Sequence, residues 1–278
     1  MTDVTKDDIS FLLNLGAAQT EISEFQYDDT LPYLVLHKDY VFHDLERLLP
    51  EPLRKRGIVS TTDSNSFIDY LKMHRPTGGG TTYIDIDTEA SKCQLEAVLN
   101  DHDSEPGWQD HRCTFTPKIS VEWKRWIGKD RTQMSQTDFA TWLEDNLGDI
   151  ASVEGMPTAA EMMKMALGFE ANAEKRLRSR INLQSGGVRF EFVEDEDKET
   201  RSSMEVFERF TLGLPVFDGA TDAYPLEARL KYREKSGELT FWYELIRSDK
   251  VFKTAVSNEL ATISAATNFV MIYGKLGK

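Results

Sequence analysis

A chain of 278 residues with 40% hydrophobic and 29% charged side chains can build one large core or two closely packed ones, which excludes wholesale disorder. Its 47 acidic and 33 basic side chains leave a formal charge of −14, so a phosphate backbone is repelled on average and nucleic-acid contact needs a local basic patch. Two cysteines, Cys93 and Cys113, without CxxC spacing exclude a disulfide framework and cysteine-rich zinc modules, and suit a reducing compartment.

The opening MTDVTKDDIS has neither the basic nor the apolar region of a secretion signal. No apolar run approaches the ~20 residues that cross a bilayer. The expectation is a cytoplasmic protein without a membrane segment.

The predicted elements begin with DDISFLLNLGAAQ, where Ile9, Leu12, Leu13 and Leu15 fall at helical spacing. After YLVLH, Pro50 and Pro52 break regular structure. Ser64 is placed as the cap of a short helix, NSFIDYLKMHR, which Pro76 and Gly78 to Gly80 end. Strand-like segments follow: TTYIDID, KCQLEAVLND, WQDHRCTF and KISVEWKRW. In the second, Cys93, Leu95, Ala97 and Leu99 alternate onto one face.

Ser135 with Asp138 marks a capping-box-like helix start, with Phe139, Trp142, Leu143 and Leu147 as its apolar stripe. Thr158 then caps a longer helix through AAEMMKMALGFEANAEKRLRSR, whose terminal Lys175, Arg176, Arg178 and Arg180 complement its dipole. From Gly186 the strand pattern returns in VRFEFVE, MEVFERFTL, YPLEARLKYRE and LTFWYELIR, the last two joined by KSG. A closing helix, DKVFKTAVSNELATIS, and an apolar tail, NFVMIYG, finish the chain.

Strand clusters in both halves, joined by hairpin turns beside several helices, predict an α+β fold with antiparallel sheets. A single domain over 1–278 is expected, with a possible subdivision near 150–158 into 1–155 and 156–278.

Three constellations bear on chemistry. The stretch NDHDSEPGWQDHRCTF gathers His102 and His111 with Asp101 and Asp110, candidate metal ligands if they converge. As a hairpin turning at EPG, however, the apolar faces agree when Leu99 meets Cys113 and Ala97 meets Phe115. His102 then faces Asp110, His111 faces Asp101, and the two histidines point to opposite sides. Cross-strand Asp–His pairs are preferred to a metal site, and neither metal nor cofactor is expected.

Second, Asp85 or Asp87 with Glu122 and Lys124 on a later strand would match the carboxylates and lysine of a magnesium-dependent nuclease, though a solvated charged face explains them equally well. Third, EWKRWIGKDR interleaves Trp123 and Trp126 with Lys124, Arg125, Lys129 and Arg131. Core packing of the indoles ranks first, a protein interface second and single-stranded nucleic acid third.

Taken together, DHDSEPGWQDHR, EWKRW, MSQTDFATWLEDNLGDI, YPLEARLKYRE and LTFWYELIR resemble the YfdQ-like family of phage- and prophage-encoded proteins. The helix phrase with Ser135, Gln136, Phe139, Leu143, Glu144 and Asn146 carries most of that likeness. The resemblance implies synthesis in a bacterial cytoplasm and brings no catalytic residue with it. The leading expectation is a non-catalytic homo-oligomer or protein-binding factor, helped by the tail NFVMIYG, which would complete a sheet or an interface. A role in phage DNA metabolism or counter-defence, by single-strand binding or as an acidic decoy, comes second, and a metal-dependent hydrolase third.

Overall fold

The computed structural model describes residue 10 and residues 46–103, 105–170, 176–181, 188–195, 198–235 and 238–277. It divides into two compact units, Met1–Arg54 and Lys55–Lys278. In the first, a 3-10 turn spans Glu46–Leu48, and the Glu46 carboxylate accepts the Leu53 N–H at 3.0 Å. Of the helix read from residues 7–19, Ser10 is described and is helical; the rest lies outside the described residues.

The second unit is α+β, as the patterning predicts. Its first sheet has the order β1-β4-β3-β2-β12, from β1 (Gly57–Thr61), β2 (Thr81–Asp87), β3 (Lys92–Val98), β4 (His111–Phe115) and β12 (Val270–Tyr273). The central pairs are antiparallel, while β1 on β4 and β12 on β2 are parallel. Alternation makes one face apolar: Ile84, Cys93, Leu95, Ala97, Cys113 and Phe115 are all buried.

Helix α1 (Ser64–Met73) packs against β4 and β1 and buries Phe67, Ile68 and Leu71, and α5 (Ser248–Thr267) packs against α1 and buries Phe252, Val256 and Ile263. The α1 cap is Asp63, whose carboxylate accepts the Ser66 N–H at 2.7 Å, one residue before the expected Ser64.

The second sheet is antiparallel, in the order β5-β11-β10-β9, from β5 (Met134–Ser135), β9 (Arg209–Leu214), β10 (Tyr224–Lys235) and β11 (Glu238–Leu245). Helix α3 (Gln136–Asp145) begins at the expected Ser135, whose hydroxyl accepts the Asp138 N–H, and stacks Phe139 on Phe241 with centroids 5.2 Å apart. Helix α4 (Ala159–Glu170) opens with a capping box between Thr158 and Glu161.

Two expectations fail. The segment read as a strand, KISVEWKRW, holds α2 (Val121–Gly128), capped by Ser120, whose hydroxyl accepts the Trp123 N–H at 3.0 Å. Its apolar residues Trp123, Trp126 and Ile127 also fit the helical period of 3.6, and the tertiary packing of the indoles selects that period. Likewise α4 is described to Glu170, Lys175 lies outside the described residues, and Arg176, Arg178 and Arg180 lie on β6 (Arg176–Ile181) of a third sheet with β7 (Val188–Asp195) and β8 (Lys198–Val206). RLRSRI alternates with period two, so the basic residues belong to a strand and not to a helix end.

A boundary at 150–158 would cut through this unit. β5, before it, pairs with β11, after it, and β12 pairs with β2. Gln136 of α3 also donates to the Ala166 carbonyl of α4 at 2.9 Å.

Helix α2 sits between the sheets. Trp123 lies 6.4 Å from Phe252 of α5, and Trp126 lies 5.0 Å from Tyr243 of β11 and 6.1 Å from Phe210 of β9. Trp126 Nε1 donates to Asp149 at 2.7 Å, and Tyr243 Oη donates to the Trp126 carbonyl at 2.8 Å. Trp126→Ala is expected to lower the free energy of unfolding by about 3–5 kcal/mol in denaturant titrations, and a loss below ~1 kcal/mol would contradict this placement.

Candidate functional site

The hairpin that gathers the candidate ligands keeps the expected faces but not the expected pairs. Ala97 stands opposite Cys113 and Leu95 opposite Phe115. That is two residues from the anticipated register, and a shift of two preserves the side of every residue. The Leu99 N–H donates to the His111 carbonyl at 2.9 Å, so the ladder closes at His111. Asp101, His102 and Asp110 therefore fall in the connecting loop, and neither Asp–His cross-strand pair forms.

Asn100 takes the place of those pairs, accepting the His111 N–H at 2.9 Å and donating to Asp110 at 2.7 Å. His102 is exposed, and its Nδ1 accepts the Gly107 N–H at 2.9 Å. A Cβ at Gly107 would collide with the carbonyls of Asn100 and Asp101, so the loop closes this tightly only with glycine there. Burial alone would raise the Asp101 carboxyl, but hydrogen bonds from Gln109, Thr81, Tyr83 and the His102 N–H outweigh it and hold it below the usual range. The loop is thus tied by polar contacts within itself and to Thr81 and Tyr83 of β2, with Asp101 as the hub.

His111 has partners that the local sequence does not name. It is buried, 5% exposed, and its Nε2 lies 3.0 Å from Tyr70 Oη. The His74 ring stands 4.5 Å from Tyr70 and 5.4 Å from His111. The i,i+4 spacing of Tyr70 and His74 along α1 was the available signal, since it puts both rings on one side of the helix. His74 Nδ1 is buried without a hydrogen-bond partner among the described residues. No group of three or more His, Cys, Asp or Glu placed to hold a metal occurs among them.

Burial pushes the His111 pKa down, the charges of His74 and Lys55 push the same way, and Asp110 opposes them. Burial pushes the Tyr70 phenol up. Tyr70 and His111 therefore form a neutral phenol–imidazole contact at neutral pH that satisfies both of its buried polar atoms, while His74 Nδ1 beside it is not satisfied among the described residues.

The α2 segment separates its rings from its charges. Trp123 and Trp126 are 1% and 0% exposed, while Lys124, Arg125, Lys129 and Arg131 lie at the surface. Arg125 donates to Asn146, Lys129 stands 5.9 Å from the Trp142 ring, and Arg131 lies 3.8 Å from Asp130. Neither indole is available as a stacking platform or an interface anchor.

Glu122 and Lys124 do not share a strand face either, because on a helix residues two apart diverge by about 200°. Asp85 is held instead by Lys275 at 2.9 Å, and Asp87 accepts the N–H groups of Glu89 and Ala90. The nuclease-like constellation is not assembled. A cleft of about 300 Å³ beside the start of α1, lined among others by Asp63, Ser64, Lys118, Asp218 and Glu259, carries mixed charge and no nucleophile–base pair.

What stands open is an edge. The tail expected to complete a sheet does so: β12 runs parallel to β2, with Val270 N–H on the Gly80 carbonyl at 3.0 Å and Gly274 N–H on the Ile84 carbonyl at 2.9 Å. Strand alternation turns the backbone groups of Met271 and Tyr273 the other way, where no described strand pairs with them. Val270, Ile272 and Tyr273 are 63%, 41% and 71% exposed. Exposed apolar edges are normally blunted by charge, proline or shortness; β12 is only four residues long, and it carries neither charge nor proline.

Among the described residues, five α-helices between Ser64 and Thr267 beside one mixed and two antiparallel sheets define an α+β protein, and no helix there is long and apolar enough to cross a membrane. The chain belongs to the family described as an uncharacterized conserved protein, DUF2303, whose model matches residues 8–276. No curated protein and no solved structure matches it.

The depressed His111 pKa has a sign that can be tested. Its stabilising effect is complete above the ordinary histidine value of 6.5 and is lost as pH falls from there toward the folded pKa, because the unfolded chain takes up the proton more readily. Midpoints of urea unfolding are expected to decline below that pH in the wild type and to decline less in His111→Gln. Parallel profiles for the two proteins would contradict this.

Proposed function

We propose that this protein is a phage- or prophage-encoded, non-catalytic factor that works in the bacterial cytoplasm by assembling with itself. The observation that carries the reading is the apolar edge of β12, where Val270, Ile272 and Tyr273 are exposed and no described strand pairs on the outer side. The likeness of its helix phrase and hairpin to YfdQ-like proteins supports the phage setting. The dispersal of the candidate ligands supports a role in binding over one in catalysis.

Native mass spectrometry at micromolar concentration is expected to show oligomers for the wild type. Ile272→Asp should be monomeric, with a melting temperature close to that of the wild type because the side chain is half exposed. A wild type that stays monomeric would overturn the reading.

A nucleic-acid-linked role is the second reading, favoured by the four exposed cations between Lys124 and Arg131. It requires salt-sensitive binding of single-stranded DNA that weakens when Lys124 and Arg125 become Ala. No binding at low salt would remove it.

A further inference from the structure

We infer that two copies of this chain join through β12 in an antiparallel pair centred on a two-fold axis at Ile272, fusing two five-stranded sheets into one of ten strands. This rests on the self-assembly reading and specifies its partner and register.

Backbone parity restricts the register. Val270 and Gly274 donate inward to β2, so Met271 and Tyr273 are the residues whose N–H and C=O groups face outward. In an antiparallel pair, only outward-facing residues can exchange both hydrogen bonds. A two-fold axis at Ile272 matches Met271 with Tyr273 of the second copy and Tyr273 with its Met271, giving four bonds. An axis at Met271 or at Tyr273 leaves part of the short strand unmatched.

The side chains agree with the Ile272 centre. Val270 pairs with Thr81 and Ile272 with Tyr83, so Val270 and Ile272 lie on the sheet face away from α1 and α5. Across the axis Ile272 would meet its own copy, and Val270 would lie opposite Gly274, which offers no steric resistance.

Charge restricts where two copies can meet. A chain of net −14 repels itself over most of its surface, so copies must meet where acid is absent or neutralised. Residues 268–278 contain no acidic side chain, and the neighbouring Asp85 is already paired with Lys275 at 2.9 Å. The other edge of the sheet, β1, also exposes an apolar residue, Ile58 at 69%. A β1-to-β12 contact would be head-to-tail and would propagate, whereas the two-fold pair closes on itself.

Ile272→Cys tests this directly, because residues facing each other in a non-hydrogen-bonded antiparallel pair have Cα atoms about 4.5 Å apart, within disulfide reach. The native Cys93 and Cys113 are buried and do not compete. Under mild oxidation at micromolar concentration, most of the variant is expected to run as a covalent dimer on a non-reducing gel, and Ile58→Cys as a monomer. Tyr273→Pro removes an outward N–H while leaving the inward bonds of Val270 and Gly274, and is expected to be folded by circular dichroism and monomeric by light scattering.

A dimer in native mass spectrometry without an Ile272→Cys cross-link, or with Tyr273→Pro still dimeric, overturns the register and leaves the self-assembly reading standing. A concentration-dependent series of higher oligomers overturns it in favour of the head-to-tail contact. A monomeric wild type overturns both.

Discussion

Two indoles three residues apart hold the second unit together. Residues i and i+3 of a helix are separated by about 60° around its axis, so Trp123 and Trp126 leave α2 on the same side but lean toward different neighbours. Trp123 reaches Phe252 and, through its Nε1 at 3.4 Å, the Ser91 hydroxyl in the turn between β2 and β3. Trp126 reaches Tyr243, Phe210 and Trp142 of the other half. Each buried indole removes roughly 150–250 Å² from water, worth about 4–6 kcal/mol by area. The segment following α2 reinforces the joint, with Arg131 N–H on the Tyr243 carbonyl and Leu245 N–H on Asp130, both at 2.9 Å.

This use of the aromatic residues has a consequence at the surface. Buried tryptophans cannot recognise anything, so the part of the chain that looks most like a binding segment contributes to folding instead. The first sheet, by contrast, is covered by helices on one face and leaves β1 and β12 as edges. Its opposite face carries polar pairs such as Glu96 with Arg112 at 3.1 Å and Ser60 with Thr114 at 2.9 Å, which reduce its tendency to associate nonspecifically. In the self-assembly proposed above, association is concentrated on a short edge where main-chain hydrogen bonding fixes geometry and a few apolar side chains add affinity.

Much of this fold was legible because local pattern and tertiary environment agree. KCQLEAV alternates and is a strand; Ser135 and Thr158 carry capping chemistry and start helices. The tail NFVMIYG was apolar with no helical spacing, and it pairs as an edge strand. The misreadings occur where two periods fit one segment. VEWKRW satisfies both, and only the rings it meets across the core decide for the helix. RLRSRI, following a helix, reads as its basic end until its pairing with β7 is known.

The site was less legible than the fold. The faces of Cys113 and Phe115 followed from alternation, but the two-residue offset depended on Asn100 bridging His111 and Asp110, a contact that apolar matching does not see. The surroundings of His111 come from Tyr70 and His74, some 40 residues earlier, and no local rule joins them. GIVST, the β1 edge, was missed because it is short and lies just after a proline-rich passage, although Ile58 and Val59 are β-branched.

The central claim is that the outward backbone of β12 is a pairing surface for a second copy. Amide hydrogen exchange read residue by residue by NMR, over a hundredfold range of protein concentration, tests it most directly. The N–H groups of Val270 and Gly274, bonded to β2, should exchange slowly throughout. Those of Met271 and Tyr273 should exchange rapidly when dilute and become protected as concentration rises. Exchange at Met271 and Tyr273 that stays fast and independent of concentration would contradict the account.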